Sequence, residues 1–392
     1  MIAILTTTIN VPYFLDDLCK NIYQYGHNEN VIILIIGDKK TPEQTADYLK
    51  KTSKKWSIKI DYLDVKKQDQ YFKKYKRIYN IFPYNDAIRR LLGNLYLNQF
   101  KIDKFIYLDD DNFITKSSGD YIKQHSLVGK KITTNVFYSK NKWPNAYKFL
   151  KTKRSMPIFP RGYPWKFRNE DSFKTKENIK MTGKVIVNCG YILGDPDIDA
   201  SSRIFWNIDV KEIKRKKNIF FKPKNYFPFN DQNTCIDGEY LNLYFKPLSN
   251  GRNADIWTSY LFCKIAEIRN ELISYGGPEL LQIRNVHDNW KDYELEKSHN
   301  ISTDKFVSIL REIKVKNNKN TYKLLKTILI EAEKKLEQFR IKIFTKKINK
   351  IGHYQGFSLL EANTREKEVY KYIKKYLNEY SLWLKLIKNF PK

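Results

Sequence analysis

The segment Phe105-Ile106-Tyr107-Leu108-Asp109-Asp110-Asp111-Asn112 constrains this chain more than any other. Four largely apolar residues run straight into three carboxylates and an amide. The apolar stretch reads as a short buried strand, and the acids then fall at its carboxyl end, where open α/β sheets bind ligands. Adjacent carboxylates repel one another, so a chain keeps them together mainly where a cation offsets their charge. An oxygen-ligand site for Mn²⁺ or Mg²⁺ holding a diphosphate meets that need. The competing reading is a solvated acidic turn, since carboxylates mostly lie exposed.

The preceding residues alternate strand and helix signals. Strands are expected at Ile2–Thr8, Val31–Ile36, Ile58–Val65 and Phe105–Leu108. Helical spacing covers Tyr13–Tyr25 and Asn85–Phe100, and Thr41-Pro42 marks a helix start. This alternation predicts an α/β fold with a mostly parallel sheet and crossover helices. Residues 116–290 are richer in loops, with strands expected at Ile132–Tyr138 and Lys184–Leu193 and a helix at Asp255–Leu272. From about residue 301 glycine and proline nearly vanish and apolar residues recur at helical spacing. Two regions are therefore expected: 1–300 as the α/β domain and 301–392 as a lysine-rich helical appendage.

At 392 residues, 42% hydrophobic and 15% aromatic, the chain can bury a full core. No stretch approaches about eighteen uninterrupted apolar residues, so no transmembrane helix is expected. The amino terminus reads as a first core strand and not as a signal peptide. Cys19, Cys189, Cys235 and Cys263 are scattered without metal spacing, as expected for buried thiols in a reducing, cytoplasmic setting. The net charge of +29, from 72 basic against 43 acidic residues, favours polyanionic partners. Lysine, isoleucine, asparagine and tyrosine are also abundant, as in products of AT-rich genomes, so charge supports nucleic-acid binding only weakly.

Several motifs succeed one another along the chain. Ile35-Ile36-Gly37-Asp38 ends a strand in an acid. Pro83-Tyr84-Asn85-Asp86-Ala87-Ile88-Arg89-Arg90 precedes the acidic segment. Pro160-Arg161-Gly162-Tyr163-Pro164-Trp165-Lys166-Phe167-Arg168 spaces two arginines seven apart. Asn188–Ala200 holds Asp195, Asp197 and Asp199. Phe227–Thr234 is an aromatic-proline-polar turn, Gly251–Trp257 contains Asp255, and Gln282–Asp292 contains His287.

Over roughly residues 1–292 this series resembles the GT-A glycosyltransferases near the plant reversibly glycosylated polypeptides (the UDP-arabinopyranose mutases) and the related STELLO-like proteins. The resemblance implies a Rossmann-like GT-A domain binding a nucleotide-sugar, UDP-linked by expectation. It implies that Asp111 binds the metal and that Asp109 contacts the ribose or the metal. His287 stands where many such enzymes recruit a third metal ligand. Thr7, Asp38, Arg89, Asp109, Asp110, Trp165 and Asp197 are the expected nucleotide-sugar contacts, with Arg90 as the alternative to Arg89 on the diphosphate. The plant proteins associate their arginine pair with self-glycosylation and mutase action, which implies roles for Arg161 and Arg168. They also carry two adjacent acids before the Ile/Met-Trp pair. This chain keeps only Asp255, with Ala254 in the first position. Asp255 opens a helix and is the expected base for an acceptor hydroxyl, a helix N-cap being the plainer reading.

The sequence leaves three functions open. The first is metal-dependent transfer of a sugar to an acceptor hydroxyl, on a glycan or a lipid-linked acceptor. The second is a nucleotide-sugar mutase or self-glycosylating protein. The third is a non-catalytic basic binding module, which the ordered acidic and arginine motifs disfavour. The carboxyl end (Tyr380, Leu382, Trp383, Leu384, Leu386, Ile387, with Lys385 and Lys388) is either a peripheral contact to an anionic membrane or a helix packed on the catalytic domain.

Overall fold

The structure, a computed structural model, describes residues 1–153, 156–169, 173–284, 288–344, 353–354 and 357–390. Four strands form its parallel centre: β1 (Ile2–Thr8), β2 (Val31–Gly37), β3 (Lys59–Leu63) and β4 (Lys104–Leu108), in spatial order β4-β1-β2-β3. Leu5 pairs with Leu34 on one side and Tyr107 on the other. Parallel strands covered on both faces read as continuous apolar runs, which is why the sequence signalled β1, β2 and β4, while the half-exposed edge strand β3 alternates. Alternate residues feed two cores. Leu5, Leu34 and Tyr107 enter one, and Ile4, Ile33 and Ile106 the other. The α/β expectation therefore holds, with helices Phe14–Gln24, Thr45–Trp56 and Arg90–Tyr96 beside the sheet.

The remaining strands extend the sheet: β5 (Asn112–Ile114), β6 (Lys131–Ser139), β7 (Leu150–Thr152), β8 (Thr175–Gly194), β9 (Val210–Ile213), β10 (Ile219–Phe220), β11 (Asn233–Asp237) and β12 (Leu272–Gln282). Beside β4 the order continues β11-β8-β12-β10, mostly antiparallel. Two pairings position the site. Antiparallel β11 lays Asn233 against Leu108, so the turn before it meets the acids after β4. Strand β5 lies on β12, pairing Asn112 with Gln282.

The helix expected over Asn85–Phe100 is segmented. A 3-10 turn at Ala87–Arg89, capped by Asp86 on the Ile88 N–H, leads into Arg90–Tyr96 and a second turn at Leu97–Gln99. The helix Ala254–Arg269 ends earlier than its expected bound, because Leu272 opens β12.

The helix Asn289–Glu312 runs through residue 300, where the sequence division was set, and Thr321–Phe344 and Leu359–Ile387 come after it. Their apolar residues share one core with the sheet. Trp257 stacks on Phe306 at 4.3 Å, and Phe245 stacks on Trp383 at 4.7 Å. The membrane-facing alternative for the carboxyl end is corrected here. Tyr380, Trp383, Leu384 and Ile387 are buried against protein, and only Leu382 of the apolar set is exposed. The reason is polar as well as apolar. The Tyr380 hydroxyl donates to Leu243 O at 2.6 Å, and the Trp383 indole donates to Asn242 O at 2.9 Å. Among the described residues no helix is long and apolar enough to cross a membrane. All four cysteines are buried and free, as expected.

Candidate functional site

A cleft of about 280 Å³ opens at the carboxyl ends of β1, β2 and β4. It is lined by Thr7, Thr8, Asp38, Asn85, Arg90 and the three acids Asp109, Asp110 and Asp111. Each acid has a different anchor. Asp109 accepts from Arg90 Nη2. Asp110 accepts from the Thr8 hydroxyl at 2.7 Å. Asp111 accepts from Gln282 Nε2 at 3.0 Å and from Asn112 Nδ2 at 3.2 Å, a consequence of the β5–β12 pairing.

Burial raises all three carboxyls above their ordinary range. Asp109 is pushed up to about 6 by burial, against the pull of Arg90, with Asp111 and Asp231 adding to the rise. For Asp110 burial outweighs the Thr8 hydrogen bond, and for Asp111 it outweighs the Gln282 bond. Among the described residues, the side-chain partners of Asp110 and Asp111 are neutral. Three carboxylates thus share the cleft with one guanidinium, that of Arg90, which leaves an excess of negative charge there. No group of three or more His, Cys, Asp or Glu side chains converges on a metal position among the described residues. The expected ligand His287 lies outside the described residues.

The two neighbouring arginines do different work. Arg90 lines the cleft, donates to Asp231 O at 2.8 Å, and keeps Nε without a hydrogen-bond partner among the described residues. Arg89, the expected diphosphate contact, turns away from the cleft. It is buried, donating to Phe82 O at 2.9 Å, to Gln68 and to the Tyr79 hydroxyl. Asp38 lines the cleft as expected, and its carboxylate accepts from the backbone N–H groups of Lys39 and Asn85, both at 2.7 Å.

A second cluster lies behind the acids. Arg161 donates from Nε and Nη2 to Asp197 at 2.7 and 2.9 Å, and from Nη1 and Nη2 to Asp255 at 3.2 and 3.0 Å. One fork thus holds two buried carboxylates. They differ in state. At Asp197, burial is outweighed by Arg161, which holds the carboxyl below its ordinary range. At Asp255, burial outweighs Arg161, and Asp231 and Asp197 add to the rise, pushing it up to about 6. Asp231 connects this cluster to the acids, pairing with Lys246 at 2.6 Å and with Arg90 at 3.7 Å. Asp255 and Asp197 do not line the acidic cleft, nor the larger cleft around Arg203 and Arg284.

Arg168 does not join Arg161. It donates to Tyr163 O and to Asp199, the buried cap of helix Ala200–Phe205. The pair therefore forms no shared anion clamp. Trp165 is 41% exposed, stacks on Tyr293 at 6.3 Å and does not line the acidic cleft. Sequence reasoning overlooked Thr8, Gln282 and Asp231 as site residues. Asp231 stands within the aromatic-proline-polar turn, a local signal, whereas nothing local marks Gln282 as a neighbour of Asp111.

No family model matches the chain, and no curated protein does. Solved structures similar to it include a mannosyltransferase from Pyrobaculum calidifontis in complex with GDP-Man and Mn²⁺, at 9% identity over 100% of this chain and 87% of that one, TM-score 0.39. Glucosyl-3-phosphoglycerate synthase from Mycobacterium tuberculosis matches at 8% identity over 77% of this chain and 78% of that one, TM-score 0.39. TarS 1–349 from S. aureus in complex with UDP matches at 11% identity over 99% of this chain and 91% of that one, TM-score 0.36.

Proposed function

We propose that this protein is a GT-A glycosyltransferase that moves a sugar from a nucleotide-sugar, UDP-linked by preference, to an acceptor hydroxyl with a divalent cation. The observation that carries the reading is the acidic cleft. Three carboxylates with raised proton affinity stand at the carboxyl end of a parallel strand, and the Arg90 guanidinium, paired with Asp109, stands beside them. That combination of negative and positive groups suits a metal diphosphate better than a bare anion or cation.

Asp111 and Asp109 would hold Mn²⁺ or Mg²⁺, which, when bound, supplies Lewis-acid stabilisation of the departing nucleoside diphosphate. Arg90 orients a phosphate and replaces Arg89 in that role. Thr7 and Asp38 face the nucleoside end of the cleft, where a carboxylate accepts from a ribose hydroxyl or a base N–H. Asp255, the expected acceptor base, has its carboxyl pushed up to about 6, but Arg161 holds it outside both clefts, so that role rests on the resemblance alone.

Incubation with a panel of UDP- and GDP-sugars, with Mn²⁺ and then with chelator, tests the reading through release of nucleoside diphosphate. Metal-dependent release that falls at least about 100-fold in Asp111→Asn supports it. Release from no donor, or release indifferent to chelator and to Asp111→Asn, contradicts it.

A further inference from the structure

A second cleft, of about 490 Å³, adjoins the acids and plays no part in the donor site. Asp195, Arg203, Phe205, Trp206, Arg284 and Asn289 are among its lining residues. Its chemistry is unbalanced. Asp195 accepts from Arg203 Nη1 and from Arg284 Nε, so two guanidinium groups share one carboxylate. The Arg203 side chain is only 9% exposed, and its Nε has no hydrogen-bond partner among the described residues. Burial lowers the proton affinity of Arg203, Arg284 alongside adds to the fall, and Asp195 and Asp197 oppose it.

The other wall is apolar and open. Phe205 is 76% exposed and Trp206 53% exposed, at the end of helix Ala200–Phe205. The two adjacent aromatics present an apolar face to solvent beside the guanidinium groups. A tryptophan face suits the C–H face of a sugar ring, while paired guanidinium groups suit an oxyanion. The cleft is also wired to the acid triplet. Arg284 Nη2 donates to Gln282 Oε1 at 3.2 Å, and Gln282 Nε2 donates to Asp111 at 3.0 Å.

We infer that this cleft is the acceptor subsite and that it takes a saccharide bearing an oxyanion, a phosphate or a carboxylate, with the anion on Arg203 and Arg284 and a ring face on Trp206. This rests on the glycosyltransferase reading for the word acceptor, but the binding itself does not. The test is a ligand-observed NMR titration of the full chain, without nucleotide or metal, using glucose, glucose 6-phosphate and glucuronate. At least one charged sugar is expected to bind about tenfold more tightly than glucose, and which one does so separates phosphate from carboxylate recognition. Arg284→Gln is expected to bring the charged sugar and glucose to within about twofold, and Trp206→Ala to weaken all three. Equal binding of charged and neutral sugars by the wild type overturns the proposal, and that comparison needs no variant to fold. A preference surviving Arg284→Gln overturns it too. So does failure of both charged sugars, and binding to phosphatidylglycerol vesicles in that event would reassign the cleft to lipid. With nucleotide and metal absent, a negative titration leaves the donor reading standing, and a donor panel without turnover leaves the titration intact.

Discussion

Replacing Arg161 by methionine strands two buried carboxylates and reads out the charge logic of the inner cluster. The guanidinium makes four hydrogen bonds to Asp197 and Asp255, between 2.7 and 3.2 Å, with its own side chain and both partners largely buried. Removing one member of a buried ion cluster costs about 3–5 kcal/mol, because the remaining charges stay desolvated. Asp255 is pushed up to about 6 even with Arg161 present. Without it, Asp255 rises further above the ordinary value of 3.8, and Asp197, which Arg161 holds below that value, rises as well. A carboxyl raised on folding contributes stability below its unfolded value and loses it as pH climbs through the folded one. The variant is therefore weakest near neutral pH and gains on wild type as pH falls. The favourable wild-type contribution of Asp197 is lost only below its ordinary range, so it does not cloud a comparison between about pH 7 and about pH 5. Urea denaturation at these two values should give a deficit of about 3–5 kcal/mol at the higher pH, smaller by about 1 kcal/mol or more at the lower. A deficit below about 1 kcal/mol, or one that widens on acidification, would refute the reasoning.

Trp383→Ala should destabilise by about 3–5 kcal/mol in denaturant melts, since it removes a fully buried ring stacked on Phe245 and strands the Asn242 carbonyl. A surface helix would lose little, so a small effect would revive the membrane-facing alternative. Gly162→Ala should cost about 2 kcal/mol or more and perturb the loop that presents Arg161. Its φ is 75°, and an added Cβ would stand 2.2 Å from Ile256 Cγ2. Near-wild-type stability there would contradict the packing described for that loop.

Strands β1, β2 and β4 were legible because each is buried on both faces, leaving runs such as Val31–Ile36 without a polar break, whereas the edge strand β3 showed only as alternation. The three acids were legible for the same reason, since they end such a run. Their partners were not. Gln282 reaches Asp111 through the pairing of two strands far apart in sequence, and Asp231 reaches Arg90 through β11. Arginine motifs announce themselves, but their carboxylates do not. Arg161 finds Asp255 at a separation of 94 residues, and Arg168 finds a helix cap instead of a ligand. Of two adjacent arginines, only the backbone turn at Ala87–Arg89 decides which one faces the cleft. Helical spacing in the carboxyl-terminal region gave helices, but spacing does not say whether an apolar face meets lipid or protein. The carbonyls of Leu243 and Asn242 decide that.

The central claim is that the acid triplet holds a metal diphosphate. Calorimetric titration of UDP into the full chain, with and without Mn²⁺, compared between wild type and Asp111→Ala, addresses it directly. The account predicts binding that requires Mn²⁺ in the wild type and is lost in the variant. UDP binding that is equal with and without the cation, or unchanged by Asp111→Ala, would contradict it.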